Sequence, residues 1–309
     1  MNARYGPARV YLRSVKTVSR CVLCEGDIAR RARGMVAPFL AQRIWGRPAF
    51  AVDLMGCRQC GFVFFNPRLE PEDEARLYAG YRGEEYQRMR FRSEPWYTER
   101  FNRNLFNPAY MDARRTKLAE LFESHLKGVS VRKLLDFGGN DGDLVRGLIS
   151  GAEAYVYDIS GVTPVDGVER CSDLANCRAH QFDLIVSSNV LEHVGFPREV
   201  IRQIAAAANS GTLVFIEVPY ESPLSRGSLL KRIAQEGVLM VTRPRIALSL
   251  LGPGMLYWMQ EHINFFTPKA LEMLMSSTGW KVVDSGIYEI RPSTGKASMT
   301  WCLAKLGPQ

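Results

Sequence analysis

Hydrophobic periodicity divides the chain of 309 residues near position 131. Beyond that point short apolar runs recur in the order VRKLLDFGG, AEAYVYDIS, VDGVERC, FDLIVSSNVL and GTLVFIEVPY. The segments DGDLVRGLIS, PREVIRQIAAAANS and PKALEMLMSSTGW have helical spacing, and the runs KVVDSGIYEI and KASMTWCLAK close the chain. Strands that alternate with helices predict an α/β fold with a mostly parallel, seven-stranded sheet and helices on both faces. The closing helix–strand–strand unit allows one antiparallel strand.

The front of the chain has a different pattern. Strand-like runs such as PAFAVDLMGC and GFVFF lie within residues 21–65, behind a basic tail. LEPEDEARLYAGY opens with an acidic, Pro-containing turn typical of a helix start, and MDARRTKLAELFESHL has the spacing of an amphipathic helix. The pattern predicts four parts: a tail at 1–20, a small module at 21–65, a helical connector at 66–130 that contributes to the active site, and the α/β domain at 131–309.

A long insertion, residues 221–262, interrupts the α/β domain between the fifth strand and the next helix. Connections longer than ~12–15 residues without secondary structure are uncommon and often serve as lids or binding segments. Thr267 and Pro268 then favour a helix start, as N-cap and first helical residue. We therefore expect both ends of the insertion to lie near a ligand pocket and the insertion to form part of it.

Composition and charge narrow the class of protein. With 46% apolar and 23% charged residues the chain has the composition of a globular protein. No apolar run approaches the ~20 residues of a membrane span, and the basic N-terminus lacks the apolar stretch and cleavage site of an export signal. The sequence thus predicts a cytoplasmic protein without a transmembrane segment, and leaves its oligomeric state open.

The net charge of +8 lies in the front third, where residues 1–110 hold 19 Lys and Arg against 11 Asp and Glu. A basic surface attracts nucleic acid, an acidic membrane or a phosphorylated small molecule. It can equally be a solvated, Arg-rich surface without a partner.

Four of the seven cysteines form two C-x2-C pairs, Cys21 with Cys24 and Cys57 with Cys60, separated by 32 residues. Two such pairs can complete a tetrahedral site of four thiolates, which is typical of structural zinc. An odd number of cysteines and no export signal argue against a disulfide framework. Four free buried thiols and a redox C-x-x-C are the alternatives. The remaining cysteines are scattered: Cys171, Cys177 and Cys302.

The run D-F-G-G-N-D-G, residues 136–142, follows the first strand of the α/β domain. Gly and Asn tolerate a positive φ and let a ligand approach the backbone. Asp158 ends the second strand, 22 residues after Asp136, where an acidic residue suits hydrogen bonds to ribose hydroxyls. This pairing fits NAD as well as S-adenosylmethionine. Asp158 could also be a turn or N-cap residue.

The order of D-F-G-G-N-D-G, YDIS, FDLIVSSNVLEHV and IEVP resembles the motif series of class I S-adenosylmethionine-dependent methyltransferases, over roughly residues 131–304. The resemblance implies a Rossmann-like fold, methyltransferase activity and S-adenosylmethionine as cofactor. It also implies that Asp136 and the glycine-rich backbone hold the amino-acid end, Asp158 the ribose, Asp173 the adenine amino group, and two further residues the methionine side. The positions implied in cofactor binding are Asp136, Gly138, Gly139, Asn140, Gly142, Asp158, Asp173, Ser188 and Asn189.

Two features of the sequence resemble sugar methyltransferases in particular. Asn140 replaces the middle glycine, and this N-D-G version resembles a subgroup of sugar C-methyltransferases. The C-x-x-C pairs, followed by GFVFFNPR and LYAGY, resemble the zinc-binding segment that precedes many bacterial methyltransferases of glycan and antibiotic-sugar pathways. The resemblance implies a small zinc-ribbon-like module and a nucleotide-linked sugar or glycan precursor as methyl acceptor.

Methyl transfer needs an in-line nucleophile and often a general base. Glu261 and His262 resemble the Glu-His phrase that carries general-base candidates in the sugar methyltransferases with a zinc segment, and a Glu beside a His can tune the imidazole. His193, in LEHV, is the second candidate. Either histidine could instead be structural. Three tyrosines either line the pocket or pack ordinarily: Tyr81, Tyr220 and Tyr257.

Two rival functions stay open at this point. An RNA methyltransferase would suit the pI of 9.2 and a zinc ribbon. The sequence shows no positive stripe interleaved with stacking aromatic residues, so nucleic acid is the less favoured partner. A non-catalytic scaffold that binds S-adenosylmethionine would be indicated by loss of the cofactor carboxylates, and both Asp136 and Asp158 are present.

Overall fold

The computed structural model describes residues 15–104, 108–252, 256–291 and 296–307. Most of the predicted tail, residues 1–14, lies outside the described residues. The front module and the connector contain β1 (Ile28–Val36), α1 (Pro38–Trp45), β2 (Ala51–Cys57), β3 (Val63–Asn66), α2 (Pro71–Tyr78), α3 (Glu84–Ser93), α4 (Glu99–Asn104) and α5 (Pro108–His125).

The α/β part begins with β4 (Lys133–Phe137), β5 (Glu153–Tyr157), β6 (Val168–Arg170), α6 (Leu174–His180), β7 (Leu184–Ser188), α7 (Pro197–Ala207) and β8 (Leu213–Pro219). The insertion and the return to the domain follow with α8 (Arg226–Thr242), α9 (Pro244–Ser249), β9 (Trp258–Met259), β10 (Asn264–Phe265), α10 (Pro268–Ser277), β11 (Trp280–Ile290) and β12 (Ala297–Leu306). Thr267 caps α10 by accepting from the Ala270 N–H, and Pro268 begins that helix, as its sequence predicted.

Among the described residues, seven strands form the large sheet, in the order β11-β12-β8-β7-β4-β5-β6. β12 is antiparallel to β8 and β11, and the other neighbours pair in parallel. The predicted Rossmann-like α/β fold is therefore confirmed. Strand order reverses between β4 and β7, and ligands of open α/β sheets bind outside the carboxyl ends of the strands at such a point.

The segment DGDLVRGLIS, expected to be a helix, forms a series of turns instead. The backbone N–H groups of Val145 and Leu148 bond to carbonyls three residues earlier. Gly142 and Gly147 have φ values of 76° and 68°. A left-handed residue ends a right-handed helix, so two such glycines within one turn and a half prevent helix formation here.

The insertion joins the front module through a second sheet. Within the described ranges this sheet has five strands, in the order β10-β3-β2-β1-β9. Met35 and Val36 pair with Trp258 and Met259, so β9 extends the front module by one parallel strand. The predicted long connection thus contains α8, α9 and β9, and the small sheet is complete only with residues from near the end of the insertion.

In the part of the chain that the structure describes, no helix has both the length and the apolar character required to cross a bilayer.

Candidate active site and cysteine cluster

A cleft of about 2430 Å³ lies at the carboxyl ends of β4, β5 and β7. The glycine-rich turn, the end of β7, the residues around His262 and helices of the connector all contribute to its walls. The connector supplies Tyr78, Tyr81, Arg82, Tyr110 and Arg114. The cleft therefore combines the switch point of the sheet with side chains from the connector and the insertion.

The turn after β4 brings the backbone close to the cleft. Gly138 has a φ of 78°, and a Cβ there would lie 2.6 Å from Cγ2 of Val190. A Cβ on Gly139 would overlap the carboxyl group of Asp136. Asn140 also has a positive φ, 58°, which Asn tolerates better than most side chains. The close contacts at positions 138 and 139 leave no room for a side chain and therefore require glycine at both. Gly142 packs behind the turn, where its Cβ would meet Val168.

Asp136 lines the cleft although its side chain is fully buried. Neither of its carboxylate oxygens has a hydrogen-bond partner among the described residues. Burial raises the pKa of Asp136 to about 7. A buried carboxylate without a partner costs free energy, and a ligand that brings an ammonium group removes that cost. The amino-acid end of S-adenosylmethionine carries such a group, so this position fits the cofactor.

Asp158 lines the cleft at the end of β5 and holds the glycine-rich turn. Its Oδ2 accepts from the Asn140 N–H at 2.9 Å and its Oδ1 from the Ser160 N–H at 2.7 Å. Asp173 caps α6 instead, where its Oδ1 accepts from the Asn176 N–H at 2.8 Å. Asp173 is exposed and is not among the cleft residues, so its role at the adenine stays a prediction.

Ser188 and Asn189 line the cleft at the end of β7, and their place on the methionine side stays a prediction. The Ser188 hydroxyl donates to Glu217 Oε1 at 2.6 Å. Asn189 has a φ of 56°, and its N–H donates to the Glu217 carbonyl at 3.1 Å. Glu217 on β8 thus holds both residues in position.

An ion pair that the sequence did not reveal lies beneath this wall. Arg114 of α5 donates to Glu217 and Ser188, and the Tyr288 hydroxyl also donates to Glu217. Glu217 is fully buried and Arg114 is 4% exposed. Burial opposes the charge of Arg114, but Glu217 raises the pKa of its guanidinium overall. The available signal was an acidic residue in the middle of the apolar run VFIEVP.

Two imidazoles, those of His193 and His262, pack edge to face in the cleft wall, with ring centroids 4.8 Å apart. Nδ1 of His193 lies 3.2 Å from the Glu261 carbonyl, and Nδ1 of His262 lies 2.8 Å from Glu221 Oε2. Burial lowers the pKa of His193 to about 3. Burial acts in the same direction on His262, but the nearby carboxylates, Glu221 foremost, raise its pKa to about 9. At neutral pH His193 is therefore neutral and His262 carries a proton.

Glu192 completes this group, and sequence reasoning missed it inside LEHV. It is 1% exposed, and in the described part of the chain neither carboxylate oxygen has a hydrogen-bond partner. Its Oε1 lies 3.6 Å from His193 Nε2, and burial raises the pKa of Glu192 to about 7. One ligand atom each from Glu192, His193 and His262 lie within 4.8 Å of one another. The cluster can exchange a proton with a bound molecule.

Glu261, predicted beside His262, is turned away from the cleft. It bonds to the Tyr86 hydroxyl, and its Oε2 lies 2.7 Å from Arg90 Nη1. Burial alone would raise the pKa of Glu261, but Arg90 and Tyr86 lower it to about 2. Glu261 contacts the histidine pair through its backbone carbonyl, which lies 3.2 Å from His193 Nδ1. Of the candidate tyrosines, Tyr81 and Tyr220 line the cleft, and Tyr257 does not.

The four paired cysteines converge in the front module. The sulfurs of Cys21 and Cys60 are 3.7 Å apart, and those of Cys24 and Cys57 are 3.5 Å apart. A tetrahedral zinc site with Zn–S bonds of ~2.3 Å separates its sulfurs by ~3.8 Å. All four ligand atoms lie within 4.8 Å of one another. Both the donor set and the spacing fit one zinc ion.

Comparison with known proteins identifies the family of the α/β domain. The model of the family described as "Methyltransferase domain" matches residues 101–285, whereas no curated protein matches the chain. Similar solved structures include human N-acetylserotonin methyltransferase in complex with SAM, which has 20% sequence identity and a TM-score of 0.38. The match covers 73% of this chain and 60% of that chain.

Two further solved structures are also similar to this chain. The DhpI–SAH complex has 16% identity and a TM-score of 0.40, with 73% of this chain and 95% of that chain covered. Burkholderia thailandensis 1,6-didemethyltoxoflavin-N1-methyltransferase has 14% identity and a TM-score of 0.46, and the match covers 84% of this chain and 96% of that chain. Because the family match spans more than half of the chain, the protein belongs to the family described as methyltransferase domain.

Proposed function

We propose that the protein transfers a methyl group from S-adenosylmethionine to a nucleotide-linked sugar or a glycan precursor. One observation carries the proposal. A single cleft contains both the Asp136 carboxylate, which has no hydrogen-bond partner among the described residues, and the paired imidazoles of His193 and His262. The first group suits the cofactor and the second a hydroxyl-rich or carbonyl-bearing acceptor. The choice of a sugar rests on the resemblance of the front segment and of the Glu-His phrase to sugar methyltransferases.

The cofactor, when bound, supplies an electrophilic methyl group. Asp136 would accept from its ammonium group and Asp158 from its ribose hydroxyls, while the backbone around Gly138 would approach the amino-acid end. Ser188 and Asn189 would border the methionine side. Rigid positioning of the methyl group and the acceptor supplies much of the rate enhancement of such a transfer.

His262 would act as the general base of the transfer. Glu221 holds its Nδ1 at 2.8 Å, which leaves Nε2 for the acceptor. The carboxylates that raise the pKa of His262 also stabilise the imidazolium formed when it takes a proton. Neutral His193 lies beside it and would orient the acceptor by a hydrogen bond. Glu261 would position His193 through its carbonyl rather than touch the acceptor.

Transfer of a labelled methyl group tests the proposal. The purified protein would be incubated with methyl-labelled S-adenosylmethionine and, separately, with nucleoside-diphosphate sugars, glycan precursors and RNA. Label in a sugar product is the expected result. Label in RNA alone would favour the nucleic-acid alternative, and tight binding of S-adenosylmethionine without transfer to any acceptor would favour the scaffold alternative.

Replacement of Asp158 by alanine is expected to weaken S-adenosylmethionine binding by ~1–3 kcal/mol, because a charged acceptor at the ribose is lost. Isothermal titration calorimetry measures the change. Asp173→Ala is the matched variant, since Asp173 lies outside the cleft and caps α6. Unchanged affinity in Asp173→Ala would remove Asp173 from the cofactor site, whereas unchanged affinity in Asp158→Ala would remove Asp158.

We further propose that the cysteine cluster binds one structural zinc ion per chain. Cys57→Ser is expected to abolish the bound zinc and to destabilise the front module, since the site ties residues 21–24 to residues 57–60. Elemental analysis of protein purified without chelator measures the metal. Cys302→Ser, at a buried position outside the cluster, should retain full zinc. Metal-free wild-type protein under these conditions would contradict the proposal.

A further inference from the structure

The long helix of the insertion, α8, buries charged residues on its inner side and exposes apolar residues on its outer side. Its inner side buries Arg232 and Glu236, with Arg232 Nε 3.4 Å from Glu236 Oε1, together with Leu239. The Arg232 guanidinium lies 3.6 Å from the centroid of the Trp258 ring. These contacts fix α8 against the end of the small sheet, so its outer side is held in a defined orientation.

The outer side of α8 is an apolar stripe. Leu230, Ile233, Val238 and Val241 follow one another at intervals of three to five residues, and Ala234 and Gly237 fill the positions between them. Leu230 is 67% exposed and Val241 83% exposed. In α9, which follows directly, Leu248 is 60% exposed. Contiguous apolar surface of this kind marks a site of interaction rather than an ordinary solvated face.

The charges around the stripe have one sign. Residues 222–252 contain Arg226, Lys231, Arg243 and Arg245 besides Arg232, and their only acid is Glu236, which is buried against Arg232. Within the ranges that the structure describes, none of the first four forms a close ion pair with an acidic side chain, and Lys231 has a longer-range attraction to Glu221 at the start of the insertion. Arg226 lies one turn before Leu230 in α8, and Arg243 and Arg245 follow after this helix ends at Thr242, so cations flank the stripe in sequence at both ends.

A partner must therefore accept apolar side chains and also carry negative charge. A second copy of the chain would bring the same cations against this face, which like-charge repulsion opposes. Nucleic acid would pair with the cations but leave Leu230, Ile233 and Val241 in water. An anionic bilayer surface offers both an apolar layer and negative headgroups, and surface helices that insert there have this pattern.

We propose that the apolar stripe of α8, with its flanking Arg and Lys residues, docks the protein on the surface of an anionic lipid bilayer. The stripe inserts into the boundary between headgroups and acyl chains, while Arg226, Lys231 and Arg245 contact the headgroups. The insertion begins at Glu221 in the cleft wall, so docking brings a bilayer surface to the element that borders the active site. The inference does not depend on the acceptor or on methyl transfer.

Co-sedimentation of the full chain with vesicles tests the docking. We expect binding to vesicles of equal phosphatidylglycerol and phosphatidylcholine and at least about tenfold weaker binding to phosphatidylcholine alone, since each cation near an anionic surface strengthens binding about fivefold. The double variant Leu230→Ser, Val241→Ser should reduce binding to the anionic vesicles by about tenfold or more, because it removes the inserted apolar area. High salt should weaken the binding of the wild type.

The matched control is Val129→Ser, Val283→Ser, two exposed apolar residues far from the insertion in sequence, which should bind as the wild type does. All variants would first be compared by circular dichroism. Equal binding to both vesicle types, or full binding by the stripe variant, would overturn the proposal. A concentration-dependent dimer in light scattering that the stripe variant loses would also overturn it, in favour of a second copy of this chain.

Discussion

Replacing His262 by alanine is expected to lower kcat by ~10²–10⁴-fold, the usual range for loss of a general acid–base group. The affinity for S-adenosylmethionine should stay nearly unchanged, because His262 bonds to Glu221 and packs on His193 rather than on the glycine-rich turn. Initial rates with the acceptor found in the labelling experiment, together with calorimetry of the cofactor, measure the two quantities. His180→Ala is the matched control, since His180 packs on Tyr155 away from the cleft with ring centroids 4.4 Å apart.

The pH dependence distinguishes a base from a merely structural histidine. His262 has a pKa of about 9, so it is protonated below that pH and cannot accept a proton. The kcat of the wild type should therefore rise with pH up to about 9. Glu221→Gln removes the strongest interaction that raises this pKa, so the rise should move to lower pH. A His262→Ala enzyme with full turnover would refute the base role but leave the methyltransferase assignment intact.

Arg114→Met is expected to destabilise the protein by ~3–5 kcal/mol. The substitution leaves Glu217 charged and fully buried without its cation, and uncompensated buried charges have costs of that size. Chemical denaturation measures the loss. Arg146→Met is the matched control, because the Arg146–Asp143 pair, at 2.6 Å, is half-exposed and contributes at most ~1 kcal/mol.

A second substitution tests the cause of that loss. In Arg114→Met, Glu217→Gln the side chain at position 217 carries no charge. Ser188 and Tyr288 bond to different carboxylate oxygens in the wild type, so in the variant the amide oxygen can accept from one hydroxyl and the amide NH2 can donate to the other. Most of the lost stability should therefore return. A double variant as unstable as the single variant would show that Arg114 acts through packing rather than through charge compensation.

The sequence by itself determined the elements and the features that depend on local spacing. Strand and helix periods predicted the α/β fold with a single antiparallel strand, because side-chain burial in regular structure repeats with the backbone. The two C-x2-C pairs indicated a four-thiol cluster because the spacing within each pair is local. Gly138 and Gly139 indicated a tight turn for the same reason. The Glu-His phrase pointed to His262, which does line the cleft.

Only the tertiary structure decided which polar side chains are buried, which of them form ion pairs and which lack a hydrogen-bond partner. Arg114 and Glu217 are 103 positions apart, and Tyr86 and Glu261 are 175 apart, so no local pattern reveals that they meet. Glu261 is adjacent to His262 in sequence but pairs with Arg90, while Glu192, adjacent to His193, is buried without a hydrogen-bond partner among the described residues. The pairing of β9 with β1 likewise joins two distant segments. Burial and charge compensation arise from neighbours in space rather than from neighbours in sequence.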